Sequence, residues 1–274
     1  MSAAERWTQA LAAWAIPPDI LAAAPESPWG YPTRVFARWA DDQPAMHTPS
    51  TQRALEALPE SGSVLDVGCG AGAASLPLAP RASNLIGVDP SPGMIRAFRE
   101  RTERTGKAVT TIEGTWPALT GETPVADVVV CHHVAYNVSD LAPFVQRLTD
   151  HARRRVVMEL TAQHPMSVLN DLWLHFHGLA RPMTPTADDA IAILRELGIT
   201  PQDAHWESPA QGWSGPSAWD DLVVWTRRRL CLRPERDEEI RAVIGPRVVN
   251  QGGEVRLPPR PVVTVWWNGI APRG

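Results

Sequence analysis

The sequence predicts an α/β protein built on a parallel sheet with helices on both faces. Three observations carry this. From Val64 to about Leu160, short apolar runs alternate with helix-like stretches, the pattern of strands joined by crossover helices. The runs are nearly continuous in apolar residues, Val128-Val129-Val130 most clearly, as expected of strands covered on both sides. The first run, Val64–Val67, leads directly into Gly68-Cys69-Gly70-Ala71-Gly72, a turn whose bare backbone lets a ligand come close.

Taken in order, residues 1–45 hold a short helical pattern (Trp7, Ala10, Leu11, Trp14), then Pro17-Pro18 and the irregular aromatic stretch Ser27–Pro32. Further helices are expected over Val35–Ala40 and Pro49–Leu58. Strands are expected at Val64–Val67, Asn84–Val88, Ala108–Glu113, Asp127–Cys131 and Arg155–Leu160, with helices at Ala73–Leu78, Gly93–Thr105 and Leu141–His151 between them. Beyond Leu160 the rhythm breaks. A helix over Ser167–Leu179 precedes the proline-rich turn Arg181–Pro185. The next helix opens at Thr186 with Asp188-Asp189 and stops at Gly198, with caps of the expected types. A strand at Asp203–Glu207, a loop rich in Gly, Ser, Pro and Trp, helices at Trp219–Leu230 and Arg236–Ile244, and a final strand at Pro261–Trp267 complete the chain.

The bulk properties exclude several classes. With 274 residues, 44% of them hydrophobic and 20% charged, the chain can bury one large core with a small cap. A net charge of −4 gives no global attraction to nucleic acid. Cys69, Cys131 and Cys231 are odd in number and lack metal or disulfide spacing. No signal pattern and no apolar run near ~20 residues appear, so no membrane contact and a cytoplasmic setting are expected. The run Arg227-Arg228-Arg229 is followed by Asp237-Glu238-Glu239, which reads as a solvated, charge-balanced surface. His175 and His177 lie two apart and do not share a helix face, and His164 is distant, so no metal is expected. Trp173, Trp206, Trp213 and Trp219 read either as the core of a small domain or as the aromatic wall of a pocket.

The glycine turn admits two readings. Gly68, Gly70 and Ala73 fit a loose dinucleotide fingerprint, with Asp89 at the place of a ribose-binding acid. Asp66, two residues before the first glycine, argues otherwise. A negative charge there suits a ligand with an amino-acid-like positive charge better than a phosphate. The stretch Asp66-Val67-Gly68-Cys69-Gly70-Ala71-Gly72 resembles the D-x-G-x-G-x-G loop of class I S-adenosylmethionine (SAM)-dependent methyltransferases. Ile86–Met94, Ile112–Pro117 and Ala126–Val134 resemble that family's next three motifs in order, so the resemblance covers about residues 50–160.

The resemblance implies a Rossmann-like seven-stranded sheet, mostly parallel, with the last strand inserted antiparallel. It implies SAM as methyl donor and S-adenosylhomocysteine as product. The expected organisation is an N-terminal helical cap segment over 1–48, a SAM-binding core over 49–161, a substrate-cap insertion over 162–220, and a C-terminal part of the core over 221–274. The cofactor-binding candidates are Asp66 facing the ammonium, Gly68, Cys69, Gly70 and Gly72 in the loop, Asp89 taking the ribose hydroxyls, Pro90 beside it, and Met94 packing on adenine. The family's third motif commonly has an acid after its glycine. Here Thr115-Trp116 follows Gly114, and they either contact adenine or, for Trp116, pack in the core. Cys131 is expected as a small wall residue.

His132, His133 and Tyr136 leave the fourth strand near the expected methyl position and are the catalytic candidates. Strand alternation is expected to send the two histidines to opposite sides, leaving one to act as base. The leading expectation is methyl transfer to an O or N nucleophile of a small molecule. Open alternatives are an RNA or protein methyltransferase, an NAD-dependent oxidoreductase and a non-catalytic SAM-binding regulator, and a homodimer is left open.

Overall fold

A computed structural model describes residues 1–29, 48–208, 212–214, 218–251 and 254–270. The helix expected over Val35–Ala40 lies outside the described residues. Seven strands form one sheet in the order β3-β2-β1-β4-β5-β10-β6. They are β1 (Gly62–Val67), β2 (Ala82–Asp89), β3 (Ala108–Glu113), β4 (Ala126–His132), β5 (Ala152–Thr161), β6 (Gln202–Ser208) and β10 (Arg260–Asn268). The first five pair in parallel, and β10 lies antiparallel to both β5 and β6. This is the expected sheet, including its inserted last strand. The strand order reverses at β1, whose neighbours are β2 and β4, and such a reversal opens a crevice at the carboxyl ends of the strands.

Alternation along the strands builds two apolar layers. On one face Leu65, Val129, Met158 and Val265 meet α1 (Ala3–Ala12), α5 (Leu141–Asp150) and α7 (Ala187–Glu196). On the other, Val64, Leu85, Val128 and Val157 meet α3 (Pro49–Ala57) and α4 (Pro92–Glu103). Asp189 at N3 accepts from the Thr186 backbone N–H at 2.8 Å, and α7 ends ahead of Gly198 at φ 76°, so its caps match the sequence reading. A short α2 (Pro18–Ala23) follows α1.

The structure departs from expectation in four places. The helix expected over Ala73–Leu78 is a single 3-10 turn, Leu76–Leu78. Pro77 and Pro80 remove two amide donors there, and the Ser75 hydroxyl is turned inward onto Asp66. The helix expected over Ser167–Leu179 divides into a 3-10 turn, Pro165–Leu169, and α6 (Asn170–His177), which Gly178 stops in the left-handed conformation.

The segment 162–220, expected wholly as a cap, contributes α7 and the edge strand β6 to the sheet. Conversely, α8 (Ala218–Arg229) and α9 (Asp237–Ile244), expected in the C-terminal part of the core, share a separate apolar cluster with α6 through Trp173, Leu222, Leu230 and Ile240. The physical reason lies in β6 and β10. They are antiparallel neighbours needing only a short turn, so the long connection between them is the true excursion. It also carries a small sheet of β7 (Gly212–Ser214), β9 (Glu254–Arg256) and β8 (Val249–Gln251).

The arginine run is not a solvated surface. Arg227 is buried and reaches Asp237 at 2.8 Å and Glu26 at 3.1 Å. Arg228 donates to the Ser27 carbonyl at 3.2 Å and buried Arg229 to that of Pro28 at 2.6 Å. Only part of this charge is balanced by the following acids. The rest fastens the segment after α2 to α8.

α1 is held to the sheet chiefly by Trp7, which is fully buried, donates from Nε1 to the Val138 carbonyl at 2.8 Å and stacks on Tyr136 at 5.5 Å. Trp7→Ala is expected to cost about 3–5 kcal/mol, the range for truncating a buried large aromatic. Urea unfolding checks this, and a loss below about 1 kcal/mol would mean that α1 is not docked as described.

Candidate active site

The carboxyl ends of β1, β2, β4 and β5 open into a cavity of about 1490 Å³, roofed by α1, the turn before α6 and the β6–β10 excursion. Its floor begins with the glycine turn. Gly68 sits at φ 71°, and a Cβ there would fall 2.4 Å from Val134 Cγ2, so no side chain fits. Gly70, at φ 51°, faces open space and donates its N–H to Asp89 Oδ2 at 3.0 Å. The Ser91 N–H holds Oδ1 of the same carboxylate at 2.9 Å. Two amides thus orient Asp89 while each oxygen keeps acceptor capacity for a ligand.

Asp66 lies beneath this turn, only 1% exposed. Oδ2 accepts from the Ser75 hydroxyl at 2.7 Å, and Oδ1 is buried with no hydrogen-bond partner. Burial raises its pKa to about 7, against the lowering hydrogen bond from Ser75 and with a further rise from Asp89. A buried oxygen without a donor favours positive charge above it.

Pro90, Met94 and Thr115 line the cavity, as does one part of Trp116. Most of Trp116 is committed to packing. It is buried, donates from Nε1 to the Phe144 carbonyl at 3.3 Å and meets His151 edge-on. Cys69 borders the cavity, but its Sγ is directed at Gly87, where an added Cβ would lie 2.9 Å away.

Two expected cofactor contacts fall elsewhere. Gly72 turns the chain at φ 93° against Leu76 and is not on the cavity wall. Cys131 is fully buried in the layer facing α5 and does not line the cavity, because its neighbour His132 takes the cavity side of β4.

The two histidines do not diverge. His132 ends β4 opposite Glu159 of β5, and its Nδ1 lies 3.9 Å from Glu159 Oε2. His133 follows the strand end at φ 59°, and this left-handed residue swings its ring back so that Nε2 lies 2.9 Å from Glu159 Oε1. Alternation fails because it holds only while the backbone stays extended.

Glu159 is buried, and burial pushes its pKa up. The positive charge of His132, the hydrogen bond from His133 and the Ser50 hydroxyl outweigh this and hold it at about 2. Burial also holds His132 below the usual histidine range, partly offset by Glu159. The sequence reading missed Glu159. Its signal was available, since it is the lone acid in the apolar run Val156-Val157-Met158-Glu159-Leu160.

Tyr136 lines the cavity, but its hydroxyl donates to the Thr161 carbonyl at 2.8 Å, and burial raises its pKa. It is a neutral wall at neutral pH. His175 and His177 part as expected, one to Glu239 at 3.2 Å and the other to the Leu230 carbonyl at 2.7 Å. Among the described residues no group of three or more metal-ligating side chains gathers, and no helix is long and apolar enough to cross a membrane.

Comparison with known proteins agrees with the geometry. Residues 64–155 match the family model described as a methyltransferase domain. This segment, about a third of the chain, is similar to a methyltransferase domain. A ubiquinone biosynthesis O-methyltransferase of Azorhizobium caulinodans is 36% identical over 84 residues, which are 31% of this chain and 33% of that protein. An uncharacterized protein of Haemophilus influenzae is 31% identical over 102 residues, 37% of this chain and 38% of that protein. The chain therefore matches about a third of the length of these curated relatives.

Two solved structures share the fold. A putative methyltransferase from Bacillus halodurans has a TM-score of 0.54 at 16% identity, covering 80% of this chain and 96% of that one. The YcgJ protein of Bacillus subtilis has 0.52 at 18%, covering 81% and 99%.

The buried Asp66 carries a pH signature. Its folded pKa lies above its unfolded value of 3.8, so between about pH 4 and 7 the folded state binds the extra proton and stability falls as pH rises. Asp66→Asn removes that slope. In chemical unfolding of the ligand-free protein, the variant is expected to gain on wild type steadily from pH 4 to 8. A difference independent of pH would contradict the buried, donor-poor placement of Asp66.

Proposed function

We propose that this chain is a SAM-dependent methyltransferase acting on an oxygen nucleophile of a small molecule. The observation that carries the reading is the His133–Glu159 pair, set at the end of β4 beside the Gly70–Asp89 cradle. The residues present fit the cofactor. Gly70 leaves open space where a Cβ would intrude, Asp89 offers two oriented oxygens to ribose hydroxyls, and the orphan Oδ1 of Asp66 favours the ammonium and sulfonium charges. Met94 and Thr115 supply wall for the adenine. When bound, SAM supplies a methyl group already activated on sulfur.

The chain's own work is then positioning and proton removal. Nε2–H of His133 donates to Glu159, which leaves the Nδ1 lone pair to accept a proton from an acceptor hydroxyl. Glu159 stays ionised and compensates the imidazolium that forms, so it acts as a positioning residue. Burial disfavours the charged form of His132, and Glu159 partly offsets this. A base of this kind suits a hydroxyl, which must give up its proton as its oxygen takes the methyl group. The O-methyltransferase relative supports the same choice. The remaining assignments are part of the proposal: 1–48 as a cap segment, a small-molecule acceptor and a cytoplasmic setting.

Calorimetric titration with SAM and a methyl-transfer assay on a panel of hydroxylated acceptors test this. Asp89→Ala is expected to abolish measurable SAM binding. His133→Ala is expected to bind SAM within about threefold of wild type while kcat falls roughly 10²–10⁴-fold, the usual worth of a general base. SAM bound as tightly by Asp89→Ala as by wild type would overturn the cofactor site, and an unchanged kcat in His133→Ala would overturn the base.

A further inference from the structure

The side chains lining the cavity divide by charge. The sheet side carries the acids Asp66, Asp89 and Glu159 and, at the start of β10, Arg260, whereas the roof side carries Arg181, Arg229 and Arg247 with no acid among its described lining residues. Arg247 is paired with Asp171 and Arg229 donates to a main-chain carbonyl. Arg181 is held by neutral partners. It donates to the Trp14 and Ala15 carbonyls and lies over the rings of Trp14 at 5.5 Å and Trp173 at 4.9 Å. Main-chain dipoles and ring faces orient a guanidinium without cancelling its charge.

His164 stands beside it, stacked on Trp14 with ring centroids 3.8 Å apart. Its Nδ1 accepts the Met166 N–H at 3.3 Å, so the neutral ring carries its proton on Nε2, which has no partner among the described residues. Burial and the nearby Arg181 lower its pKa to about 4, which keeps it neutral at physiological pH. The roof therefore offers a positive charge and a hydrogen-bond donor, between the aromatic surfaces of Trp14, Tyr136 and Trp173.

Resting on the methyltransferase reading, we infer that the acceptor is a planar, hydroxylated carboxylate, its carboxylate turned to Arg181 and His164 and its hydroxyl to His133. The cofactor, positive overall, then faces the acidic floor and the anionic acceptor faces the basic roof. A neutral acceptor would leave the half-buried Arg181 facing dipoles alone. A carboxylate gains charge-assisted hydrogen bonds, roughly twice as strong as neutral ones.

The test is calorimetry on the full chain saturated with S-adenosylhomocysteine, using protocatechuate, para-hydroxyphenylacetate and the primary amide of each. At least one carboxylate is expected to bind about tenfold or more tightly than its amide, and Arg181→Gln is expected to erase that preference without changing S-adenosylhomocysteine affinity. Should Arg181→Gln fail to fold, His164→Phe removes the donor alone, and the preference is expected to shrink about threefold.

Equal affinity for acid and amide in wild type overturns the inference, as does no carboxylate binding at millimolar concentration. Arg181→Gln weakening S-adenosylhomocysteine also overturns it, because the arginine would then serve the cofactor's own carboxylate. An unchanged preference in His164→Phe overturns it as well. Failure of wild type to bind S-adenosylhomocysteine removes the methyltransferase reading together with this inference. Intact binding without a charge preference removes the inference alone.

Discussion

The Asp89 carboxylate joins the end of β2 to the turn after β1 through the Gly70 and Ser91 amides, and the cavity takes its shape from that join. It sits where the sheet reverses its strand order, so the two halves of the sheet diverge around it. Gly68 can lie against Val134 only because it lacks a Cβ, and this brings the turn over the end of β4. The buried Asp66 is sealed below the same turn. Ligand recognition and local stability are therefore opposed. The carboxylate that prepares the floor for a cation costs the empty protein stability once it ionises.

A second carboxylate organises the chemistry. Glu159 reaches the cavity from β5 and draws both histidines of the β4 end toward itself. Its charge persists despite burial because hydrogen bonds and neighbouring positive charge compensate it, with Ser50 of α3 fixed in turn by the Thr264 hydroxyl at 2.6 Å. Strands β4, β5 and β10 and helix α3 thus converge on one pair of side chains. The positioning is done by parallel and antiparallel ladders rather than by mobile loops.

Much of this was legible in the sequence. The strand–turn unit and the acid at the end of the second strand follow from apolar periodicity, glycine placement and motif order, which are local signals, whereas the antiparallel insertion of the last strand was implied by the family resemblance. What was not legible depended on pairing distant segments. Glu159 looked like one more strand residue until β5 lay beside β4. His133 could not be placed by alternation, since its left-handed backbone arises past the strand end. The cap was misdrawn for a similar reason. Only the antiparallel pairing of β6 with β10 shows that 187–208 serve the sheet and that α8 and α9 belong over the site. The arginine run read as surface because its partners, Glu26, Ser27 and Pro28, lie some 200 residues away in sequence.

The most direct measurement is a crystal structure with S-adenosylhomocysteine bound. The account predicts the ribose hydroxyls on Asp89, the adenine between Met94 and Thr115, and the sulfur facing the His133–Glu159 pair across the space left for the acceptor. A cofactor bound with its adenosine under Arg181, or with its sulfur turned away from His133, would contradict it.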